Sequence, residues 1–143
     1  MKHLFISLVS LFLGSVYAQS IEQSHIDANV PARADFEPFL RRDVSSYFSK
    51  RFDQKMTIDY VLLRDGPTQS GIAYPKFYIW VSSANEDKKT LVEGAMRLAA
   101  VEKKRFDVTD FVSKEEIVAG STKIEEAFPR VLIPKIKERA GVK

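Results

Sequence analysis

Apolar residues recur at three- and four-residue intervals over residues 35–52, and this pattern predicts a long amphipathic helix. Most charged residues of the segment fall on the opposite side of that helix. The apolar stripe comprises Phe36, Phe39, Leu40, Val44, Tyr47, Phe48 and Phe52. Asp35 is the expected N-cap, and Pro38 is expected in the first turn, where backbone amides lack intrahelical partners. We interpret the aromatic stripe as part of the core rather than as a binding surface.

Four segments with β-type patterns follow the predicted helix. Their predicted spans are residues 56–63, 72–82, 90–101 and 105–112, and turn-forming or charged loops separate them. The connection over residues 102–104 is too short for a crossover, so the last two strands must be antiparallel neighbours. The sequence therefore predicts an α+β fold, in which the long N-terminal helix packs on one face of a curved antiparallel sheet of about four strands.

Short helices are predicted at the C-terminus. Ser113 and Glu116 have the spacing of a capping box, and Pro129 is expected to open a last helix that Pro134 kinks and Gly141 ends. This order of elements is similar to that of cystatin-like and nuclear-transport-factor-like folds. The similarity is one of architecture only, and it implies no function, because such folds include enzymes, inhibitors and assembly proteins.

The first 18 residues have the organisation of a secretory signal peptide. A short basic start precedes an apolar run over residues 4–13, and small residues lead to Ala18, the expected cleavage point. The run is shorter than the roughly 20 residues of a membrane span. We therefore predict a periplasmic or secreted protein with a signal peptide (1–18), a flexible N-terminal arm (19–34) and a single α+β domain (35–143).

The composition excludes several classes of chemistry. The chain has no cysteine and two histidines, one of which lies in the predicted signal peptide. Thiol catalysis, a Ser-His-Asp triad and a His/Cys zinc site cannot be built from these residues, and His25 is interpreted as a solvated arm residue. The net charge of +3 is small and its basic residues alternate with acidic ones, which argues against a nucleic-acid partner. No cofactor and no metal site are expected.

Strand alternation indicates where a binding site could lie. If Phe77 faces the long helix, the opposite face of the sheet presents aromatic and charged side chains. The predicted ligand-binding residues are Tyr74, Tyr78, Trp80, Arg97, Glu93 and Asp59, with Arg97 able to stack on Trp80 and the loop over residues 65–71 at the rim. In one interpretation this face is open to a ligand. In the other, the N-terminal arm or the C-terminal helices cover it and form a second core layer.

These observations favour an exported, non-enzymatic binding domain for a small molecule or an envelope protein. The alternative is an envelope protein-interaction factor or an inhibitor of an exported enzyme. A small-molecule binder should have a closed concavity, whereas an interaction protein should have an exposed edge strand or apolar patch. A third hypothesis is a hydrolase that uses two of the carboxylates of Asp59, Glu93 and Asp107. The basic C-terminal segment could contact a membrane surface or pack on the sheet.

Overall fold

The structure is a computed structural model that describes residues 21–143; the predicted signal peptide lies outside these residues. After a helical segment over residues 21–29, the elements are α1 (Arg33–Phe52), β1 (Thr57–Leu62), β2 (Lys76–Ala84), β3 (Thr90–Val101), β4 (Arg105–Ser113), α2 (Lys114–Val118), α3 (Lys123–Ala127), a 3-10 turn (Arg130–Leu132) and α4 (Ile133–Ala140). The strands pair antiparallel in the order β1-β2-β3-β4. The predicted α+β fold, with a long helix before an open four-stranded sheet, is confirmed.

Helix α1 packs on one face of the sheet through its apolar stripe. Leu40, Val44 and Phe48 are fully buried, and Phe36 contacts Phe77 edge to face with ring centroids 5.0 Å apart. The same layer contains Met56, Ile58, Ile79, Val81, Met96, Leu98, Ala100 and Phe106. Burial of each large apolar side chain stabilises the fold by about 1.5–3 kcal/mol. Phe77 therefore lies on the helix-facing side of the sheet, as predicted.

The opposite face of the sheet is covered by the C-terminal helices. Ile117, Ile124, Ile136 and Ala140 are buried against it, together with Leu63, Tyr78, Trp80, Ala95, Val112, Phe128 and Leu132. The apolar side of α4 thus packs on the sheet. Of the two interpretations of this face, the structure has the second core layer.

Several element ends differ from the sequence predictions. Helix α1 begins at Arg33 after the N-cap residue Ala32, so Asp35 lies within the first turn and is not the cap. Pro38 consequently lies beyond the first turn. The capping box of Ser113 and Glu116 is present. Pro134 does not kink a helix, because α4 begins only one residue before it.

The segment that precedes α1 is helical over residues 21–29 and contacts the β3–β4 turn through Asn29. The Asn29 side-chain oxygen accepts a hydrogen bond from the Glu102 amide at 3.0 Å, and its carbonyl accepts one from the Lys103 amide at 2.9 Å. Both turn residues have positive φ, 52° and 62°, a strained conformation for residues other than glycine. Asn29 thus binds the amides that this conformation presents. Within residues 21–143, no helix is long and apolar enough to cross a membrane.

Two closely spaced residues of α1, Arg41 and Asp43, bind the two edge strands of the sheet. On one side of the helix, Arg41 Nη1 donates to the Ile58 carbonyl of β1 at 2.6 Å. On the other side, Asp43 Oδ2 accepts the Phe106 amide of β4 at 2.7 Å. Positions 41 and 43 are about 200° apart around a helix of 3.6 residues per turn, so the two side chains reach opposite edges of a sheet that curves around the helix. Unpaired edge groups are a template for aggregation, and α1 occupies one such group on each edge.

Candidate functional site

The two central residues of the predicted aromatic site are buried. Tyr78 and Trp80 are only 5% and 6% exposed, because the C-terminal helices cover them. Of the two alternatives for this face, these two residues therefore follow the covered one. The Tyr78 hydroxyl forms a hydrogen bond with Thr68 Oγ1 at 2.6 Å. The strand period predicted that both side chains lie on this face of the sheet, and a cover by the C-terminal helices was one of the two alternatives open from the sequence.

Three of the predicted residues, Asp59, Trp80 and Glu93, line a small groove beside α4. The strand registers pair Asp59 with Ser82 and Ser82 with Glu93, so the carboxylates lie in one row across three strands. The groove has a volume of about 240 Å³, and Tyr60, Val61, Ser82 and Arg139 complete its lining. The Glu93 carboxylate accepts from Lys114 Nζ at 3.1 Å and from Trp80 Nε1 at 3.4 Å. Ligand pockets usually have volumes of about 300–1,000 Å³, so this groove is small.

Arg97 and Tyr74 lie away from that groove. The prediction from the sequence was that Arg97 could stack on Trp80. The Arg97 guanidinium instead binds Asp110 at 2.7 Å and Thr109 Oγ1 at 2.9 Å. A β-bulge makes this arrangement possible. Arg97 pairs with Asp110 and the next β3 residue pairs with Val108, which leaves Thr109 as the additional residue of β4. Tyr74 is 44% exposed and lies in the loop before β2.

A lysine next to Arg97 is electrostatically perturbed. Burial, and then the nearby Arg97 charge, lower the pKa of Lys76 below its ordinary value. Its ammonium donates to the Tyr74 carbonyl at 2.6 Å. The predicted site residues therefore separate into a group around Glu93 and a group around Arg97, and they do not form one binding surface.

A larger cleft lies between α1 and the outer edge of β4. It has a volume of about 620 Å³, within the usual range of binding pockets. Its α1 wall consists of Asp43, Ser46, Tyr47, Lys50 and Arg51, and its β4 wall consists of Arg105, Phe106, Asp107 and Val108. The α1 residues recur at three- and four-residue intervals, so they form one side of the helix. We refer to this feature as the α1–β4 cleft.

The β4 edge presents unpaired backbone groups to the α1–β4 cleft. In an antiparallel strand, successive residues direct their amide and carbonyl groups alternately toward each side. The Phe106 amide points away from β3, toward Asp43. By this alternation, the amide and carbonyl of Val108 also point away from β3, at the edge of the sheet. Beyond the bulge, the Ser113 amide points outward to Glu116 Oε2 at 2.9 Å, which places Phe111 in the same outward set. Between these two capped amides, no backbone group of residues 21–143 pairs with the outward groups of Val108 and Phe111, which lie on either side of the bulge at Thr109.

A second groove continues along the same strand toward α3. It has a volume of about 300 Å³ and is lined by Asp110, Phe111, Val112, Lys123, Glu126 and Ala127. Helices α1 and α3 lie on opposite faces of the sheet, so the open β4 edge forms the floor between a wall on each side. A strand edge flanked by a helix is the geometry in which extended peptides add to a sheet.

The charges of the α1–β4 cleft are unevenly paired. Asp43 binds Arg42 at 2.8 Å, and Asp107 binds Arg105 at 3.0 Å, so each acidic group of the cleft has its own arginine. Within residues 21–143, neither Lys50 nor Arg51 forms an ion pair; the Arg51 guanidinium lies over the Phe111 ring, 5.3 Å from its centroid. The cleft is therefore positively charged.

Sequence reasoning did not identify the α1–β4 cleft. The signal was present as Lys50 and Arg51 beside the aromatic stripe, on a helix next to an edge strand. The last predicted strand could have been recognised as an edge, but nothing in the pattern indicated which side of the helix it meets.

Comparison with known proteins identifies no relative of this chain. No family model matches the chain, and no curated protein and no solved structure resembles it closely enough to count as a match. Within the described part of the chain, no group of three or more His, Asp or Glu side chains is arranged to hold a metal ion.

Proposed function

We propose that this protein is an exported, non-enzymatic protein-interaction factor that binds an extended segment of a partner by β-strand addition to β4. The observation that supports this function is the open β4 edge on the floor of the α1–β4 cleft. An inhibitor of an exported enzyme and an envelope assembly factor are both compatible with this mode of binding. Export follows from the predicted signal peptide, and N-terminal sequencing of the mature protein, expected to begin at Gln19, tests it.

The two edges of the sheet differ in a way that favours β4. On β1, Arg41 occupies the Ile58 carbonyl and lies 5.3 Å from the centroid of the Tyr60 ring, so the side chain covers part of that edge. On β4, the capped amides lie at the two ends and leave the middle open. Main-chain hydrogen bonds along such an edge provide affinity, and the flanking walls provide specificity.

A proline substitution on β4 tests the proposal. Val108→Pro removes an outward amide without removing a hydrogen bond of the β3–β4 ladder, and proline is tolerated at edge positions of this kind. A library of random peptides displayed on phage would be selected against the mature protein. The peptides enriched on the wild type should lose binding to Val108→Pro, and amide NMR shifts on peptide addition should centre on β4.

The matched control is Leu62→Pro on β1, whose amide also points outward by the same alternation. This variant should retain peptide binding. Far-UV circular dichroism establishes that both variants are folded. The proposal fails if no peptide is enriched, or if the folded Val108→Pro variant binds the enriched peptides as well as the wild type does. If Val108→Pro does not fold, Ser46→Trp, an exposed α1 position that fills the cleft, takes its place under the same criterion.

The groove beside α4 supports a second candidate, a site for a small polar ligand. Its lining combines the Asp59 and Glu93 carboxylates with Arg139, so a small molecule with both charges would fit it. A thermal-shift screen of amino acids and polyamines tests this function. A ligand that stabilises the wild type and not Asp59→Asn would support it, and a screen without stabilising ligands would exclude it for these classes.

A further inference from the structure

We propose that the segment bound in the α1–β4 cleft is acidic, with Asp or Glu side chains at alternate positions directed toward Lys50 and Arg51. This inference rests on the proposed function, because it assigns the chemistry of the partner at the same edge. The occupant is a protein segment in extended conformation.

The unpaired basic residues of the cleft provide the first argument. Lys50 and Arg51 line the cleft from α1. The two acidic residues of the cleft do not neutralise them, because Asp43 binds Arg42 and Asp107 binds Arg105. A bound segment with carboxylates would place opposite charges beside these two cations. Basic side chains on the same segment would be repelled, which also provides specificity.

The direction of α1 relative to β4 locates this charge preference. Asp43 contacts Phe106 near the beginning of β4, whereas Arg51 lies over Phe111 near its end. The helix therefore runs parallel to the strand, and the basic pair lies beside its second half. An acidic side chain of the added strand should accordingly lie opposite residues 108–111.

The pleat of the added strand determines the spacing of its acidic residues. Side chains of a strand alternate between the two faces of its sheet. Every second side chain of the bound segment would therefore face α1 and its cations, and the intervening ones would face α3. The α3 wall contains Lys123 and Glu126. Since the Lys123 ammonium binds the Glu116 carboxylate at 2.7 Å, this wall adds no unpaired cation within residues 21–143. We thus expect acidic residues separated by one position, and no such requirement at the positions between.

The same peptide selection tests the charge assignment when it is repeated on charge variants. On the wild type, the enriched peptides should contain an excess of Asp and Glu at every second position, with one residue between them. Lys50→Glu should bind these peptides about three- to tenfold more weakly, the range of a partly exposed charge contact. Binding to the wild type should also weaken as salt is raised from 50 to 500 mM, because salt screens such contacts. Lys89→Glu, the same reversal in the β2–β3 loop, is the control and should bind like the wild type.

The outcomes separate this inference from the proposed function. Peptides that depend on Val108 but show no acidic excess, or that bind Lys50→Glu as well as the wild type, would retain strand addition and overturn the acidic partner. Peptides that bind Val108→Pro as well as the wild type would overturn both the strand addition and the acidic partner. A second copy of the chain is the other possible occupant: a dimer seen by analytical ultracentrifugation that dissociates in Val108→Pro would replace the acidic segment.

Discussion

The Asp43 side chain should stabilise the fold although it is charged and lies outside the apolar core. Its carboxylate accepts the Phe106 amide at 2.7 Å and binds the Arg42 guanidinium at 2.8 Å. It thereby fixes the beginning of β4 against α1. We predict that Asp43→Ala destabilises the protein measurably, whereas removal of the carboxylate of Asp59 does not.

The expected magnitude follows from the environment of each contact. A hydrogen bond to a charged group contributes about 1.5–3 kcal/mol. The Arg42 side chain is 51% exposed, so its ion pair adds at most about 1 kcal/mol. Alanine is a better helix former than aspartate by about 0.6 kcal/mol, which offsets part of the loss. A net loss of about 1–3 kcal/mol remains, equivalent to a fall in Tm of roughly 4–15 °C for a domain of this size.

Urea unfolding followed by circular dichroism measures this change. Asp43→Asn retains an oxygen for the Phe106 amide and should lose about half as much stability. Asp59→Ala is the control, because the Asp59 side chain is 92% exposed and 4.0 Å from Arg41; it should change the free energy of unfolding by less than about 0.5 kcal/mol. Equal losses for Asp43→Ala and Asp59→Ala would refute the assignment of Asp43 as a support of β4.

Three further predictions concern the second core layer and the β3–β4 pair. Gly94→Ala should lower stability by about 1–3 kcal/mol in urea unfolding, since the added Cβ would lie 2.8 Å from Ser113 Cα; full stability would show that the strands separate easily. The fluorescence of Trp80, 6% exposed, should be blue-shifted and resist acrylamide, and free quenching would contradict the cover. The Lys123 ammonium and the Ser113 amide lower the pKa of Glu116, so its stabilisation is present at neutral pH and lost as the pH falls below about 4. Glu116→Gln should therefore lose less Tm between pH 7 and pH 3 than the wild type, unlike the control Glu115→Gln.

The arrangement of the sheet could be predicted because it depends on local periodicity. Apolar residues every three or four positions gave α1, and two-residue alternation placed Phe77 and Trp80 on opposite faces. The third strand was predicted over the residues that form β3, Thr90–Val101. Ends that depend on contacts distant in sequence were less accessible. Helix α1 begins two residues before Asp35, after the N-cap residue Ala32, which makes no side-chain capping hydrogen bond and therefore carries no sequence signal for a cap.

The cover of the second face was one of two alternatives open from the sequence. Local patterns could not decide between them, because several short helices form the cover together. Ile124 and Ile136 belong to different elements, α3 and α4, and both are buried in the same cluster with the sheet residues Tyr78 and Trp80. The bulge at Thr109 was similarly hidden. It places Thr109 and Asp110 both opposite Arg97, so a strict period of two leads to the wrong partner for that guanidinium.

The way in which the chain protects its edges explains why the open part of β4 is informative. Arg41 and Asp43 satisfy one backbone group on each edge strand, and the capping box of Ser113 and Glu116 satisfies another at the end of β4. A sheet that only needed protection from aggregation could be covered more completely by the same helix, since α1 continues past Lys50 beside β4. Instead, the helix side chains next to Val108 line a cleft of about 620 Å³ and include unpaired cations. The outward backbone groups of β4 are thus capped at Phe106 and Ser113, and the bulge at Thr109 interrupts the strand between them. On each side of the bulge, Val108 and Phe111 keep outward groups without a partner in residues 21–143, which an extended, acidic segment could pair with.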